Sequence, residues 1–147
     1  MLHINAEIAA RDLVKTNKLP IDFAPILKTV GIRVRSTRLG PYRAFYMHHR
    51  ENLIIVNKDL PVPEQRYGIA RELGHYVLGH GVLRVADKKP VPMPRIEVDQ
   101  AKAFAMELLM PKIAVKKYGF LAPEKMAEIC VVPLRVAEMK VRLLGWG

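Results

Sequence analysis

Cysteine is almost missing from this sequence. Cys130 is the only one in 147 residues, so no internal disulfide can form and a reducing, cytoplasmic setting is expected. No apolar run reaches the roughly eighteen residues of a membrane span, which removes a spanning helix from the expected architecture. The opening stretch, MLHINAEIAARDLVKTNKLP, carries Glu7 and Asp12 among its apolar residues. It lacks the charged start and unbroken apolar core of a signal peptide, and is read as part of the fold. Internal repeats and low-complexity segments are also absent. Acid is in short supply: 14 acidic against 24 basic residues give a net charge of +10.

That charge is spread. Residues 1–60 and 61–147 each contribute +5, so it is not a basic tail. Its densest part is GIRVRSTRLGPYR, with Arg33, Arg35, Arg38 and Arg43 and no acid. A patch of this kind suits nucleic acid or an acidic protein. It equally suits a solvated sheet edge kept from aggregating by charge. No aromatic or groove-reading motif accompanies the arginines, which favours the edge.

The length fits one domain with a single core, residues 1–147. Apolar spacing predicts a helix over 4–16. A second is predicted over 21–30, with Asp22 as cap, Pro25 in the first turn and Gly31 as stop. IRVRS, YRAFYMH and NLIIVN then read as three strands of a small antiparallel meander, turned at Gly40-Pro41 and at HRENL. Helical spacing returns over 63–79, with Tyr67, Ala70, Leu73, Gly74, Val77 and Leu78 on one stripe. GVLRVADKKPVPMPRIE is read as a proline-broken loop. A helix over 97–109 turns Ala101, Phe104, Ala105 and Leu108 inward. A shorter helix from Pro111 to about Tyr118 stops at Gly119. A closing helix pair fills 118–147. The fold class expected is α+β, a small sheet packed with several helices.

Chemistry concentrates in IARELGHYVLGH, residues 69–80. Arg71-Glu72-Leu73-Gly74-His75 is one residue short of His-Glu-x-x-His. In that motif two imidazoles one helical turn apart converge on zinc, and the glutamate acts as general base toward the metal-bound water. Here His75 supplies one imidazole and Glu72 the base. Arg71 takes the other ligand position. A guanidinium stays protonated and has no lone pair to give, so it cannot ligate a metal.

NLIIVNKDLPVPEQRYGIARELGHYVLGH followed by EVDQAKAFAMELLMP resembles the ImmA/IrrE family of small bacterial and phage metallopeptidases. The carriers are the strand IIVN, the QRYGIA-ELGHYVLGH helix and the A-x-x-FA-x-x-LLMP helix, and MAEICVVPLRVAEMKVRLLG is similar to the family's closing pair. The resemblance implies a zincin-like, gluzincin-like domain. It implies zinc held by both histidines of the motif and by a carboxylate just before A-x-x-FA. It also implies a regulatory role, in which a helix-turn-helix repressor is cleaved or otherwise disabled. Carried over residue by residue, the usual acids fall on Val98 and Gln100. Glu97 and Asp99 are the nearest carboxylates. Glu97 projects near the Phe104 direction at about 100° per residue, and Asp99 points nearly away. Gln100 faces the pocket, but a neutral amide is a poor zinc ligand.

Two roles are open for each of these residues. His75 is a surviving ligand or a hydrogen-bonded histidine in a polar pocket, and losing a ligand favours the second. Glu72 is a base or half of an ion pair. His80 lies about 140° further round the helix than His75 and is expected to be structural. His48 and His49 should face opposite sides of a strand, and Cys130 should be a buried apolar residue. The closing pair reads as a DNA-reading helix-turn-helix or as cover for the core, and the bare side of the motif helix favours cover.

Three functions follow. The first is a regulatory pseudopeptidase without cofactor, binding a protein partner such as a helix-turn-helix repressor along a sheet edge that includes Arg33 and Arg35. In it, Arg71 replaces zinc as the pocket's cation, paired with Glu72 or Glu97 beside His75 and Gln100. The second is an active zinc peptidase built on His75, Glu72 and Glu97 or Gln100. The third is nucleic-acid binding through the arginine hairpin.

Overall fold

The computed structural model describes residues 4–14, 18–80, 85–86, 89–90, 94–117 and 122–145, without the side chains of residues 49, 85–86 and 89–90. Helix α1 (Ile4–Leu13) buries Ala6 and Ala10. Asp22 caps α2 (Phe23–Val30) by accepting the Ala24 amide at 3.0 Å. Gly31 ends that helix at φ +82°, its N–H bonded to the Leu27 carbonyl, a left-handed C-cap that glycine adopts without a side-chain clash.

Strands β1 (Arg33–Thr37), β2 (Ala44–His49) and β3 (Glu51–Asn57) form one sheet in the order β1-β3-β2. β3 runs parallel to β1 and antiparallel to β2, so the sheet is mixed and not the antiparallel meander the turn residues suggest. Burial explains the order. β3 carries the buried Ile54 and Val56 and takes the centre, whereas β1 exposes Arg33, Arg35, Ser36 and Thr37 and suits an edge. The Gly40-Pro41 segment therefore crosses over rather than closing a hairpin. The buried Asn57 amide holds it by donating to the Gly40 and Tyr42 carbonyls at 3.1 and 2.9 Å. The second predicted turn is a tight one at Arg50 (φ +66°).

Helices α3 (Val62–Val77) and α4 (Arg95–Leu109) pack side by side at the centre. Tyr67, Ala70, Leu73 and Gly74 of α3 meet Ala101, Phe104, Ala105 and Leu108 of α4 in the buried core. A Cβ on Gly74 would stand 2.9 Å from the Phe104 ring, so glycine sets this close approach. α4 begins two residues earlier than the spacing suggests, which places Arg95–Glu97 in its first turn instead of in a loop. Of the rest of that loop, two short strands are described, β4 (Val85–Ala86) and β5 (Lys89–Pro90), paired antiparallel.

α5 (Lys112–Lys117), α6 (Pro123–Cys130) and α7 (Leu134–Leu143) complete the chain, and the predicted stop at Gly119 lies outside the described residues. Met126, Cys130, Val136, Ala137 and Val141 join the same buried cluster as α3 and α4. The closing pair thus covers the core. Burial pushes the Cys130 thiol up to about 11, in keeping with an apolar role. No described helix is long and apolar enough to cross a membrane.

Candidate functional site

α3 supplies the motif residues. Tyr67, Arg71 and His75 follow one another at four-residue steps along one side of the helix, and Glu72 lies beside them. Arg71 is half-buried, with its guanidinium 5.4 Å from the centre of the Tyr67 ring one turn back. Among the described residues no carboxylate comes within 4.0 Å of it. The expected ion pair with Glu72 or Glu97 is therefore replaced by an aromatic face and partial solvation.

Glu72 lies near the sheet, close enough to the backbone N–H of Tyr46 for that amide to favour its charged form. The β2–β3 register accounts for this. The carbonyl of Arg43 accepts from Asn57, and Tyr46, three residues on, falls at an alternate position whose amide faces away from β3. Burial raises the Glu72 carboxyl to about 7, while Arg71 and the Tyr46 amide pull the other way.

His75 is hydrogen-bonded in a polar pocket, and the unexpected feature is its partner. Its Nδ1 lies 2.9 Å from Nδ1 of His80, and Nε2 of His80 lies 2.8 Å from Oε1 of Gln100 on α4. Extrapolating the helix had put His80 off to one side. But α3 ends at Val77, and Gly79 turns left-handed at φ +73°. The chain folds back until the His80 amide bonds the His75 carbonyl at 2.9 Å. One set of tautomers satisfies the relay with both rings neutral. An amide oxygen only accepts, so a neutral His80 carries its proton on Nε2 and offers Nδ1 as acceptor, and His75 donates from Nδ1. Nε2 of His75 is then the one imidazole nitrogen of the pair with a free lone pair. Burial, followed by the nearby His80 and Arg71, lowers His75 to about 4 and keeps it neutral.

The remaining candidates stay outside this relay. Glu97, half-buried in the first turn of α4, makes no ion pair among the described residues. Asp99 pairs with Arg95 at 3.2 Å, and Val98 is half-buried. Sequence reasoning missed a polar cluster on the sheet beside the site. Asn52 Oδ1 accepts from the Tyr46 hydroxyl and from His48 Nδ1, both at 2.8 Å, and its Nδ2 donates to the Tyr76 hydroxyl at 3.1 Å. The two tyrosine rings stand 5.2 Å apart. A signal existed: Tyr46 and His48 share a face of β2 by alternation, and Asn52 is the residue paired with His48.

Zinc does not fit this donor set. Arg71 has no lone pair, Gln100 is neutral, and both nitrogens of His80 are committed to His75 and Gln100. Among the described residues no three histidines, cysteines or acids group as metal ligands.

The two shifted groups oppose each other in their pH dependence. Between about 4.5 and 7 the folded protein holds a proton on Glu72 that the unfolded chain releases, so this stabilisation is complete at low pH and is lost as pH rises toward 7. Between about 4 and 6.5 the unfolded chain binds a proton that folded His75 refuses, so its effect on stability rises with pH. The Glu72→Gln variant removes the first effect alone. Its unfolding free energy should climb with pH across the His75 window. Above neutrality it should exceed the parent by about 1–3 kcal/mol, after discounting for partial exposure. Denaturant titrations at several pH values check this; matching pH profiles for parent and variant would contradict it.

A family model described as the IrrE N-terminal-like domain, a peptidase family, matches residues 27–129, a stretch that runs from α2 into α6 and includes all of α3 and α4. No curated protein matches the chain.

Proposed function

The chain belongs to the IrrE N-terminal-like family and carries its metallopeptidase-like domain, and from that premise we propose that it is a regulatory pseudopeptidase, residues 1–147 acting as one unit to bind a protein partner without cutting it. The observation that carries this reading is Arg71. It stands where the first metal ligand belongs and is held against Tyr67, while the second motif histidine is hydrogen-bonded to His80. With Arg71 in the first ligand position, no ligand pair stands beside Glu72 to hold a water for it to deprotonate, and burial raises its carboxyl to about 7.

The partner proposed is a helix-turn-helix repressor, bound as an added strand. Among the described residues β1 is an edge strand with no further strand beside it, and its Arg33 and Arg35 are exposed and favour acidic neighbours. Arg33 is already within 3.2 Å of Glu51, so Arg35 has more freedom to meet a partner. The test is co-expression with the helix-turn-helix protein encoded nearest its gene, with elemental analysis of the purified chain. Association without cleavage, and no stoichiometric zinc, is the expected result. Changing Arg33 and Arg35 to glutamate should weaken capture about tenfold at low salt and less at high salt. Unchanged capture would remove β1 from the interface. One equivalent of zinc that survives mild chelation would sink the pseudopeptidase reading and restore an active peptidase.

A further inference from the structure

A cavity of about 350 Å³ lies between α3, α4, α7 and the segment leading into β2, and its lining is strongly basic. Arg43, Arg71, Lys102, Arg135 and Arg142 border it, with Glu138 the one acid on the lining. Glu64, just outside, binds Arg135 with both carboxylate oxygens and reaches Arg43 at 3.9 Å. Five cations against these two carboxylates leave a surplus of three. Among the described residues Arg71, Lys102 and Arg142 have no carboxylate within 4.0 Å. Two guanidinium groups, those of Arg71 and Arg135, stand 5.4 and 5.9 Å from the centre of the same Tyr67 ring. Like charges collected in one concavity repel, and an anion held among them relieves that repulsion.

We propose that this cavity binds a compact anion carrying two or more phosphate groups. Three features set the class. Arginine forks match phosphate oxygens in paired hydrogen bonds, and lysine adds a point charge. A single phosphate monoester carries about −1.5 to −2 at neutral pH, short of the three uncompensated cations, and a second phosphate supplies the remainder. The cations converge on a cavity of small-ligand size instead of forming a stripe. The aromatic ring there is only 3% exposed, so it offers no platform for stacked bases. The lowered carboxyl of Glu64 agrees with the field: its bond to Arg135 is the main cause, and Arg43 and Arg71 add to it. This site goes beyond the pseudopeptidase reading and does not depend on it.

Calorimetric titration of the full chain with inorganic pyrophosphate at low salt tests the proposal. Saturable binding of one equivalent is expected, at least about tenfold tighter than inorganic phosphate and weakening as salt rises. Arg71→Ala and Arg142→Ala should each weaken it about tenfold, and Arg33→Ala should leave it unchanged. Arg142 is exposed, so its variant keeps the test open if Arg71→Ala folds poorly. A nucleoside triphosphate run beside pyrophosphate separates the sources. Equal affinity means the phosphates alone are read, tighter binding means a nucleotide is the ligand, and either supports the site. Absence of saturable pyrophosphate binding would overturn it. So would equal loss in Arg33→Ala, or saturation by short duplex DNA that pyrophosphate does not displace.

Discussion

Truncating Lys140 to alanine should lower the unfolding free energy by about 3–5 kcal/mol, the largest stability loss expected from a single substitution in this chain. Lys140 lies on α7 with its side chain 7% exposed, and its Nζ is 2.6 Å from Oε2 of Glu107 on α4, itself 3% exposed. The other Glu107 oxygen accepts the Lys112 amide at 3.2 Å and lies 3.5 Å from Arg11 Nε. One buried carboxylate therefore ties α4 to α7, α5 and α1. Removing Lys140 strands that charge, since Arg11 is 47% exposed and cannot compensate from the surface. Two further variants give the argument its controls. Arg11→Ala should cost no more than about 1 kcal/mol, as half-exposed pairs do. Glu107→Leu with Lys140→Met should recover most of the loss, because the penalty comes from an unpaired buried charge. Urea unfolding of the four proteins decides it: a loss under about 1 kcal/mol for Lys140→Ala would mean that water reaches the pair.

How much of this was legible in the sequence depends on the range over which each feature is determined. The Asp22 cap and Gly31 stop of α2 were readable because both act within a few residues, and the structure shows each bond. The buried stripes of α3 and α4 were readable because periodicity reports which side of a helix meets the core. Strand order was not. Turn residues suggest a hairpin wherever they occur, whereas the order β1-β3-β2 follows from which strand carries the most buried residues. His80 was misplaced for a similar reason. Its angle was extrapolated along a helix that ends at Val77, and a single left-handed glycine redirected it onto His75. The partner of Arg71 was sought among carboxylates, because a fully buried arginine needs one. The residue is only half-buried, and Tyr67 on its own helix is sufficient. The basic cavity escaped altogether, because Arg43, Lys102 and Arg142 come from three distant stretches of sequence.

The double change Arg71→His with Gln100→Glu should convert the pocket into a zinc site. It supplies a second imidazole one turn before His75 and a carboxylate on α4, the ligand types that zinc takes in hydrolases. The existing relay helps. His75 donates from Nδ1 to His80, which leaves Nε2 free and fixes the ring, as outer partners of metal-bound histidines do. Outer partners alone alter metal affinity by roughly 10–100-fold, so two direct ligands should raise it at least about a hundredfold over the parent. The gain should vanish at low pH, where the imidazoles protonate and no longer donate. Each single variant separates one contribution. Arg71→His alone removes the cation and adds a nitrogen, and should give weak binding. Gln100→Glu alone leaves the guanidinium in place and should give none. Competition with a chromogenic chelator measures the affinities, and circular dichroism establishes that the variants fold. A folded double variant with no more zinc than the parent would show that Arg71 does not occupy a ligand position. The pseudopeptidase reading would then lose the observation that carries it.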